Sequence, residues 1–410
     1  MNVLAVALAD ESQRFIKGYP PKGARLFLQP NIEVMRLAAL LQPGDDLRYL
    51  DERVEPAAPP GTGQFCLVHV GFGQSDRARE LLHDWNTRGC APVFFGPQVT
   101  SWRDAPPPWC RPRAVGDITD VWPLLRTDAE AGRLQPLYCA SGRPGYVAPR
   151  HVKVNLEMDS GRQTIQFVRG CFCPEPVRPF CSEHLYCGTN TLMRTPEEVI
   201  GEVITLPRKC IHLLDDDVAA LPDYYHELFS RLWNYHRQWV VNASDRLFDH
   251  PRLIRLLAKA GTKVVFLNES FLLGRLSRAV GSHRLVHRLY RRVKSLQANK
   301  MLVGARLVMP AEPSTPTDYD KIASVLRQID LDFIEPRFLG PNGSLARVVY
   351  RPMVTAFEPA WLKNRFYSME TIADRIIRRP RRVGVFTTAV YLLPYSAAYR
   401  QSYLEGLPWP

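Results

Sequence analysis

The first 140 residues alternate short apolar segments with amphipathic ones, and this alternation restricts the fold more than any other feature of the chain. Segments with strand character occur at residues 2–8, 45–52, 65–73, 91–96 and 111–117. Residues 31–42 and 75–89 instead carry apolar side chains at helical spacing, and the second of these begins at a Ser-Asp cap and ends at Gly89. Strand–helix alternation of this kind predicts a doubly wound parallel sheet.

The predicted strands of this domain end in loops that contain glycine. Ligands of doubly wound sheets bind in the crevice at the carboxyl ends of the strands. Glycine lets a large flat ligand or a phosphate approach the backbone closely, although plain turns use glycine equally well. The residues predicted by position to contact a ligand are Gly71, Gly73, Ser75, Gly96, Thr100 and Gly116.

A second series of strands and helices begins near residue 161, after a segment at 127–160 that reads as a linker. The predicted strands are residues 164–170, 210–214, 238–244, 263–270, 301–310 and 330–340. Six βα units in series predict a parallel, right-handed partial or full barrel. Within this series, Thr195 and Glu198 have the spacing of a capping box for a helix over 196–206.

Polar side chains follow the strands of this second series. They are Asp215, Asp216, Asp217, Asn242, Ser244, Asn268, Glu269, Glu335 and Arg337. In a barrel the carboxyl ends of the strands share one face, which is where active sites lie. This coincidence predicts an enzyme. No Ser-His-Asp arrangement, HExxH or P-loop is present, so hydrolase and nucleotide-triphosphatase functions have little support.

Four of the nine cysteines fall within seventeen residues, at Cys171, Cys173, Cys181 and Cys187. Thiolates at this density are usually gathered by a soft metal or an iron–sulfur cluster, and the spacing fits no zinc ribbon. The first residues lack the basic region of a secretory signal, and the cysteine count is odd. These observations predict a cytoplasmic protein with reduced thiols.

The net charge of +12 comes mostly from arginine, concentrated at residues 275–300 and 375–382. A solvated helix face explains the first run best, because an apolar stripe with helical spacing runs through it. No nucleic-acid motif is present, and no nucleic-acid partner is expected. Peripheral docking on an anionic membrane remains open for the second run and the apolar segment 383–399 beside it. That segment is interrupted by Pro394 and does not read as a membrane span.

Several segments, in order along nearly the whole chain, resemble the cobalamin-binding radical S-adenosylmethionine (SAM) enzymes. FFGPQVTSW is similar to the family's "GGPHVT" loop, and RTPEEVIGEV to the "RSPEEVVEEI" segment that follows the cluster cysteines. LLDDDV and FLGPNGS are similar to the second-strand "DD" segment and the "P-PGT" loop. The resemblance implies a Rossmann-like cobalamin-type domain at 1–140, a linker at 141–160, a (β/α)6 radical SAM partial barrel at 161–340 and a helical extension at 341–410.

The resemblance also implies ligands for a [4Fe-4S] cluster. Arg169-Gly170 before Cys171 marks that residue as the first ligand, and Tyr186 before Cys187 marks the last. Sixteen positions separate them, instead of seven in the family's CxxxCxxC. The middle ligand is Cys181 or Cys173, with Cys181 preferred. His184 occupies its place when counted backward, and a surface histidine is the alternative reading.

Three states of the cysteine segment remain open. Three cysteines could hold a cluster whose fourth iron binds SAM, all four could close the cluster, or the segment could hold zinc or no metal. Cobalamin is also implied, but DxHxxG is absent after the first strand, where ADESQ stands, so no cobalt ligand is assigned. The resemblance places Asp215 and Asp217 near SAM or substrate and Glu269 near the ribose or methionine of SAM. Loop solvation and a buried salt bridge are the respective alternatives.

The activity implied by the resemblance is reductive cleavage of SAM at the cluster, followed by methylation of an unactivated carbon in a small-molecule substrate. A reductant such as flavodoxin or ferredoxin would supply the electron. The alternatives are radical oxidation, cyclisation or rearrangement without methyl transfer, and a non-catalytic cluster- or cofactor-binding protein of the same fold.

Overall fold

The computed structural model divides the chain into two compact units. The described residues are 1–9, 30–142, 145–150, 163–172, 178, 181–310, 316–339, 345–346, 366–378 and 383–397. The first unit comprises Met1–Ser160, Val168–Cys171 and Pro176–Met193, and the second comprises Gly161–Phe167, Phe172–Glu175 and Arg194–Pro410. The cysteine segment, which the sequence boundaries assign to the barrel, therefore packs largely with the first unit.

The first unit is built on a parallel sheet. Its strands in the described residues are β1 (Asn2–Ala7), β2 (Asp46–Asp51), β3 (Gln64–His69), β4 (Val93–Phe95), β5 (Arg113–Val115) and β6 (Leu137–Cys139). Their order is β2-β1-β3-β4-β5-β6, and Val3 pairs with Leu47 on one side and Phe65 on the other. The predicted doubly wound sheet is confirmed. In this order the ligand crevice of such folds lies at the β1/β3 switch point.

Helices cover both faces of this sheet. They are α1 (Ile32–Ala39), α2 (Ser75–Asn86), α3 (Pro97–Ser101) and α4 (Ile118–Glu130). Successive residues of a strand point to opposite faces. Val3 and Ala5 accordingly join a core with Val34 of α1 and Trp122 of α4. The intervening residues of β1, Leu4 and Val6, join a second core with Leu81 and Trp85 of α2.

Two expectations for this unit need correction. Residues 127–160 read as a linker, but α4 continues to Glu130 and β6 pairs in parallel with β5. The three residues of β6 are too few to show a strand period, which explains why the sequence does not reveal them. The Ser-Asp cap of α2 is also absent, because Gln74 is the N-cap residue and its side chain makes no cap bond.

The cysteine segment forms small elements of its own. β8 (Val168–Arg169) pairs antiparallel with β9 (Leu192–Met193), and α5 (Ser182–Cys187) lies between them in the chain. We call α5 the cysteine helix. The strand predicted at 164–170 is therefore split, since β7 (Gln163–Ile165) belongs to the sheet of the second unit. Cys173 lies outside the described residues.

The second unit contains six parallel strands in chain order within the described residues. After β7 these are β10 (Cys210–Leu213), β11 (Gln238–Ala243), β12 (Thr262–Leu267), β13 (Leu302–Pro310) and β14 (Phe333–Leu339). β15 (Leu345–Ala346) pairs antiparallel with β14 at one edge. This order agrees with the series of βα units predicted from the sequence.

Helices connect these strands. They are α6 (Pro196–Thr205), α7 (Pro222–Leu232), α8 (Pro251–Lys259), α9 (Leu276–Ala279), α10 (His283–Ala298) and α11 (Pro316–Ile329). Short 3-10 helices occur at Trp233–Tyr235, Asp245–Asp249 and Glu269–Phe271. The capping box predicted for α6 is confirmed: the Thr195 hydroxyl accepts from the Glu198 amide, and the Glu198 carboxylate accepts from the Thr195 amide.

The described part of residues 341–410 is mainly helical. α12 spans Met369–Arg378, and α13 begins at Val385–Thr387, continues as a π-helix over Thr388–Leu392 and is again α-helical at 393–397. Tyr367 precedes α12, and its hydroxyl donates to the carbonyl of Ile334 and accepts from its amide, both at 2.9 Å. Among the described residues, no helix is both long and apolar enough to cross a membrane.

Candidate functional site

The cysteine helix places two of the predicted ligands at its two ends. Cys181 is its N-cap residue, and Cys187 is its last residue, with 2% of its surface exposed. The helix ends at Gly188, whose positive φ of 61° suits glycine and whose amide donates to the carbonyl of His184 at 2.8 Å. Cys171 lies beyond β8 and is half-buried.

A chain of buried charges fixes the cysteine helix in the first unit. The Glu183 carboxylate accepts from Nε of Arg169 at 2.8 Å and from Nη2 of Arg36 at 2.6 Å. Arg169 has no exposed surface and also forms an ion pair with Asp117. Burial alone would raise the pKa of Glu183, but Arg36 and Arg169 lower it to about 2. The carboxylate is therefore held in its charged form.

Tyr186 makes a second attachment. Its hydroxyl donates to the Glu33 carboxylate at 2.9 Å, and the other oxygen of Glu33 lies 3.2 Å from Nε2 of His69. Burial raises the pKa of Tyr186, with a further contribution from the charge of Glu33. Glu33 itself sits in the first turn of α1, which Asn31 caps through its side-chain oxygen. The aromatic residue before the last cysteine thus serves as an anchor.

The partners of the cysteine helix lie at the carboxyl edge of the parallel sheet. His69 ends β3, and Asp117 follows β5 and caps α4. The cysteine helix also packs against α3, which begins directly after β4. Doubly wound sheets bind their ligands at this edge. The predicted cluster segment and the predicted cofactor edge are therefore neighbours within one unit, which spacing along the sequence does not reveal.

The predicted cobalamin-contact residues lie together at the ends of β3, β4 and β5, but several of their amides already have partners. The Gly71 amide donates to Gln74, the Gly73 amide to Gln98, and the Gly116 amide to the hydroxyl of Thr100. These three donors serve the protein's own loops, so they are not open to a phosphate. Contact of this edge with cobalamin stays a prediction, which rests on the position of the loops alone.

Two of these glycines are required by packing. A Cβ atom at Gly96, where φ is +111°, would lie 2.8 Å from the carbonyl oxygen of Val70. At Gly116, where φ is +95°, it would lie 2.5 Å from Cβ of Ala140. Side chains rarely adopt these backbone conformations and would also collide with these neighbours. Packing therefore explains both glycines without a ligand.

The donors of the cysteine segment fit a cluster by their chemistry, since thiolates are the protein ligands of iron–sulfur clusters. In the described residues, however, no three His, Cys, Asp or Glu side chains are grouped closely enough to hold a metal ion. Burial raises the pKa of Cys187 to about 11, while the charge of Arg169 acts in the opposite direction. A metal bound at Cys187 would have to displace this proton.

His184 is half-buried and makes a contact at the end of the cysteine helix, and the choice between a cluster ligand and a surface histidine stays a prediction. Its Nδ1 atom lies 3.1 Å from the carbonyl oxygen of Gly188, where the cysteine helix ends. The imidazole therefore caps the helix that carries Cys187, and it is positioned by that contact. Its assignment as the middle cluster ligand is not needed to explain its place in the structure.

The two aspartates predicted to lie near SAM are hydrogen-bonded within the second unit. The Asp215 carboxylate accepts from the Phe167 amide at 2.8 Å and from the Tyr225 hydroxyl at 2.6 Å. The Asp217 carboxylate accepts from the amides of Ala219 and Ser244 at 2.8 and 2.7 Å. Burial raises the pKa of Asp217, which these hydrogen bonds partly offset. Their roles toward SAM or substrate stay predictions.

Replacing Tyr225 with phenylalanine is expected to lower the free energy of unfolding of the second unit by about 1–3 kcal/mol, because the buried Asp215 carboxylate loses the hydrogen bond from the Tyr225 hydroxyl. Urea unfolding followed by tryptophan fluorescence measures this change. Tyr235→Phe, at an exposed position of the same unit, is the matched control and should stay within about 0.5 kcal/mol of wild type. Equal effects of the two substitutions would contradict the assigned role of Asp215.

A second group of charges meets in the sheet of the second unit at the level where β11 and β12 end. Arg306 lies within β13 opposite Glu335 of β14, one residue beyond the pairing of Leu267 with Ala305. Nε of Arg306 donates to Glu335 at 3.0 Å, and Nη2 donates to the side-chain oxygen of Asn242 at 3.3 Å. Burial would lower the pKa of Arg306, but Glu335, Glu269 and Asp216 raise it above its usual value. These side chains come from different strands, so only the fold brings them together. Arg337 has no described side chain.

The network of Glu33, Arg36, Arg169 and Glu183 was not predicted as functional. One signal was present: Glu33 and Arg36 are charged residues within the predominantly apolar helix 31–42. Charges at such positions are almost never fully buried unless they are paired. The sequence does not identify the partner, because Glu183 is 147 positions away from Arg36.

Comparison with solved structures finds the same fold in a radical SAM methyltransferase. TsrM from Kitasatospora setae, with cobalamin and a [4Fe-4S] cluster bound, gives a TM-score of 0.53 at 16% identity, covering 82% of this chain and 74% of that one. The same enzyme with tryptophan substrate and a SAM analogue gives 0.52 at 14% identity, covering 82% and 72%.

One curated relative is similar in sequence. Bacteriochlorophyllide d C-12(1)-methyltransferase of Chlorobaculum tepidum is 21% identical over 257 residues, which cover 57% of this chain and 54% of the relative. The chain thus spans about half the length of this relative. No protein-family model matches the chain. The structural similarity extends over both units, and the chain has the α/β fold of the cobalamin-binding radical SAM methyltransferases that its sequence resembles.

Proposed function

We propose that this chain is a cobalamin-binding radical SAM enzyme that methylates an unactivated carbon of a small molecule. The main observation in support is that Arg36, Arg169 and Glu33 attach the cysteine helix to the carboxyl edge of the Rossmann-like sheet. It makes the cluster segment and the cofactor edge parts of one unit. The methyltransferase with the same fold and the methyltransferase that is similar in sequence support the type of reaction.

Cys171, Cys181 and Cys187 would hold a [4Fe-4S] cluster and leave one iron for SAM. When bound, the cluster, SAM and cobalamin supply radical formation and methyl transfer. The protein's own contribution is to position these groups and to exclude water from them. Arg169 and Glu183 fix the helix that carries Cys187, and the buried surroundings of that thiol keep solvent away.

In the second unit we propose that the six parallel strands form the curved partial barrel of the radical SAM fold. Glu269 and the Arg306–Glu335 pair are the best candidates for contacts with SAM or substrate, because they bring opposite charges together at the level where β11 and β12 end. The guanidinium of Arg306 would hold a carboxylate, and Glu269 would accept hydrogen bonds from an amino or hydroxyl group. Asp215 and Asp217 would stabilise this site through their hydrogen bonds within the second unit.

The electron for SAM cleavage would come from a reductant such as flavodoxin or ferredoxin in the cytoplasm. The relatives act on or bind ring systems that contain nitrogen, namely tryptophan and a bacteriochlorophyllide. We expect the methyl acceptor of this chain to be a ring-bearing small molecule of the same general kind.

A second candidate function is a non-catalytic protein that retains the fold. It is favoured by one observation: the described thiols are not gathered into a metal site. In that case the cysteine helix would have a structural role, with its charges satisfied by the first unit. Formation of 5′-deoxyadenosine from SAM separates the two candidates, because a non-catalytic protein that binds a cluster would still contain iron.

Anaerobic reconstitution with iron and sulfide tests the proposal. We expect about four irons per chain and formation of 5′-deoxyadenosine and methionine from SAM with a chemical reductant. A corrinoid absorbance that survives desalting would identify the second cofactor, and a product heavier by one methyl group would identify the reaction. A folded, anaerobically handled preparation with neither iron nor deoxyadenosine would overturn the proposal and support the non-catalytic candidate.

A further inference from the structure

The last described helix of the chain has its polarity reversed relative to an ordinary surface helix. Every exposed residue at 385–397 is apolar, and these residues recur at helical spacing: Val385, Phe386, Ala389, Leu393 and Ala397. Val385 and Phe386 expose 72% and 57% of their surface. Surface helices normally turn charged and polar residues outward. The outward face of this helix is therefore suited to an apolar environment.

The inward face of the same helix carries its hydroxyl groups, and those of Tyr391 and Thr388 are hydrogen-bonded. The Tyr391 hydroxyl donates to the side-chain oxygen of Gln238 at 2.7 Å. The Thr388 hydroxyl donates to the carbonyl of Gly384 at 3.0 Å. Tyr395 packs against the rings of Phe266 and Phe333. The contacts of Tyr391 and Tyr395 with other elements fix the orientation of the helix, so its apolar residues cannot turn inward without breaking them.

The preceding helix α12 adds a second exposed stripe. Met369, Ala373 and Ile377 follow each other at four-residue spacing, and all three are exposed. Ile377 exposes 73% of its surface. Of the eleven large hydrophobic residues exposed in the described part of the chain, five lie between Met369 and Leu393. We call these two stripes together the C-terminal apolar surface.

Basic residues outnumber acidic ones in and around this surface, since residues 369 to 404 include six arginines but also the acidic Glu370 and Asp374 of α12. From residue 375 to residue 404 the sequence contains six arginines and no aspartate or glutamate. Arg375 is buried, and Arg378 is exposed at the end of α12, where it forms an ion pair with Asp374 at 2.6 Å. The sequence continues with Arg379, Arg381 and Arg382 before α13. Apolar residues beside clustered arginines complement a lipid surface with anionic headgroups.

We propose that the C-terminal apolar surface docks the protein peripherally on an anionic membrane. The helices would lie in the interface with Phe386, Leu393 and Ile377 toward the acyl region, while the arginines contact headgroups. A second copy of the chain fits this surface less well, because it would bring together two arginine-rich segments in a protein of net charge +12. The proposal is independent of the cofactor chemistry proposed above.

Vesicle co-sedimentation with the full chain tests the docking. We expect binding to vesicles of phosphatidylcholine with phosphatidylglycerol, and weaker binding to pure phosphatidylcholine. The double substitution Phe386→Ser and Leu393→Ser should lower the partition coefficient about tenfold or more. Ile377→Ser, on the other stripe, is a second variant that tests the same surface. Ile204→Ser, at an exposed position of α6, is the matched control and should bind like wild type.

The arginines are tested separately. Replacing Arg379, Arg381 and Arg382 with glutamine should weaken binding to anionic vesicles by about fivefold per residue and reduce its dependence on salt. Light scattering and circular dichroism establish the oligomeric state and the fold of each variant. The proposal is overturned by absence of vesicle binding by the wild type, by unchanged binding of the double variant, or by a wild-type dimer that the double variant converts to monomer without any vesicle binding.

Discussion

Substitution of Arg169 by leucine is expected to lower the free energy of unfolding of the first unit by about 3–5 kcal/mol. Arg169 is completely buried and pairs with both Asp117 and Glu183. Its removal leaves two carboxylates near each other with a single remaining guanidinium, that of Arg36, on Glu183. An unpaired charge in the interior costs far more than the pair itself contributes.

Urea unfolding followed by tryptophan fluorescence measures this effect, since Trp85 and Trp122 lie in the two cores of the first unit. Arg79→Leu is the matched control: Arg79 pairs with Asp76 on the exposed side of α2, and such pairs contribute about 0–1 kcal/mol. The structural assignment fails if the two substitutions destabilise the unit equally.

A double-mutant cycle refines the interpretation. If Arg169 and Glu183 interact directly, Arg169→Leu combined with Glu183→Leu should be less destabilising than the sum of the two single changes. A coupling energy of about 0.5–3 kcal/mol is expected for residues in contact. Additive effects would indicate that each residue acts through a different partner, and the continuous chain of charges described above would be wrong.

The sequence predicts those parts of the fold that depend on local pattern. In β1, Val3 and Ala5 alternate with Leu4 and Val6 toward the two cores, and a buried strand of this type is recognisable from its apolar run and its flanking turns. The capping box of Thr195 and Glu198 is equally local. The three-residue strand β6 is missed because it is shorter than the period needed to detect it.

The arrangement of the candidate site depends on contacts between residues far apart in sequence. Glu33 and Tyr186 are 153 positions apart, and Arg306 and Asn242 are 64 positions apart. No periodicity or spacing specifies such pairs. The sequence does predict that polar residues such as Asp215 and Glu269 follow strands of the second unit. Because the carboxyl ends of parallel strands share one edge, it also predicts that these residues lie near each other. It does not predict that Asp215 is already occupied by Tyr225.

The tyrosine before the last cysteine illustrates the difference between motif and mechanism. By resemblance, Tyr186 marks the next residue as the last cluster ligand. In the structure its hydroxyl donates a hydrogen bond to Glu33, which gives it a structural role. The arginine before the first cysteine likewise becomes intelligible only through its contacts with Glu183 and Asp117. Both residues connect the cysteine segment to the sheet edge, so their changes should affect the segment's position as well as the stability of the unit.

Alanine at Cys181 is expected to abolish iron retention and deoxyadenosine formation, whereas alanine at Cys173 is expected to preserve both. Cys181 is the N-cap residue of the helix that ends at Cys187, and the resemblance makes it the preferred middle ligand. A cluster held by Cys171, Cys181 and Cys187 would keep one iron for SAM. Iron per chain should therefore fall from about four to about zero in Cys181→Ala, as in Cys171→Ala and Cys187→Ala.

Cys139→Ala is the matched control, because this exposed cysteine of β6 lies outside the cysteine segment and should not change iron content. The pattern across the series distinguishes the three states of the segment. Loss of iron in Cys173→Ala as well as in Cys181→Ala would indicate a cluster closed by four thiolates, for which direct chelation of SAM is blocked. Loss in Cys173→Ala alone would make that residue the middle ligand. Absence of iron from the wild type, whether the segment then binds zinc or no metal, would mean that it holds no cluster, and the role of the cysteine helix would then be the structural one that Arg169 and Glu183 already support.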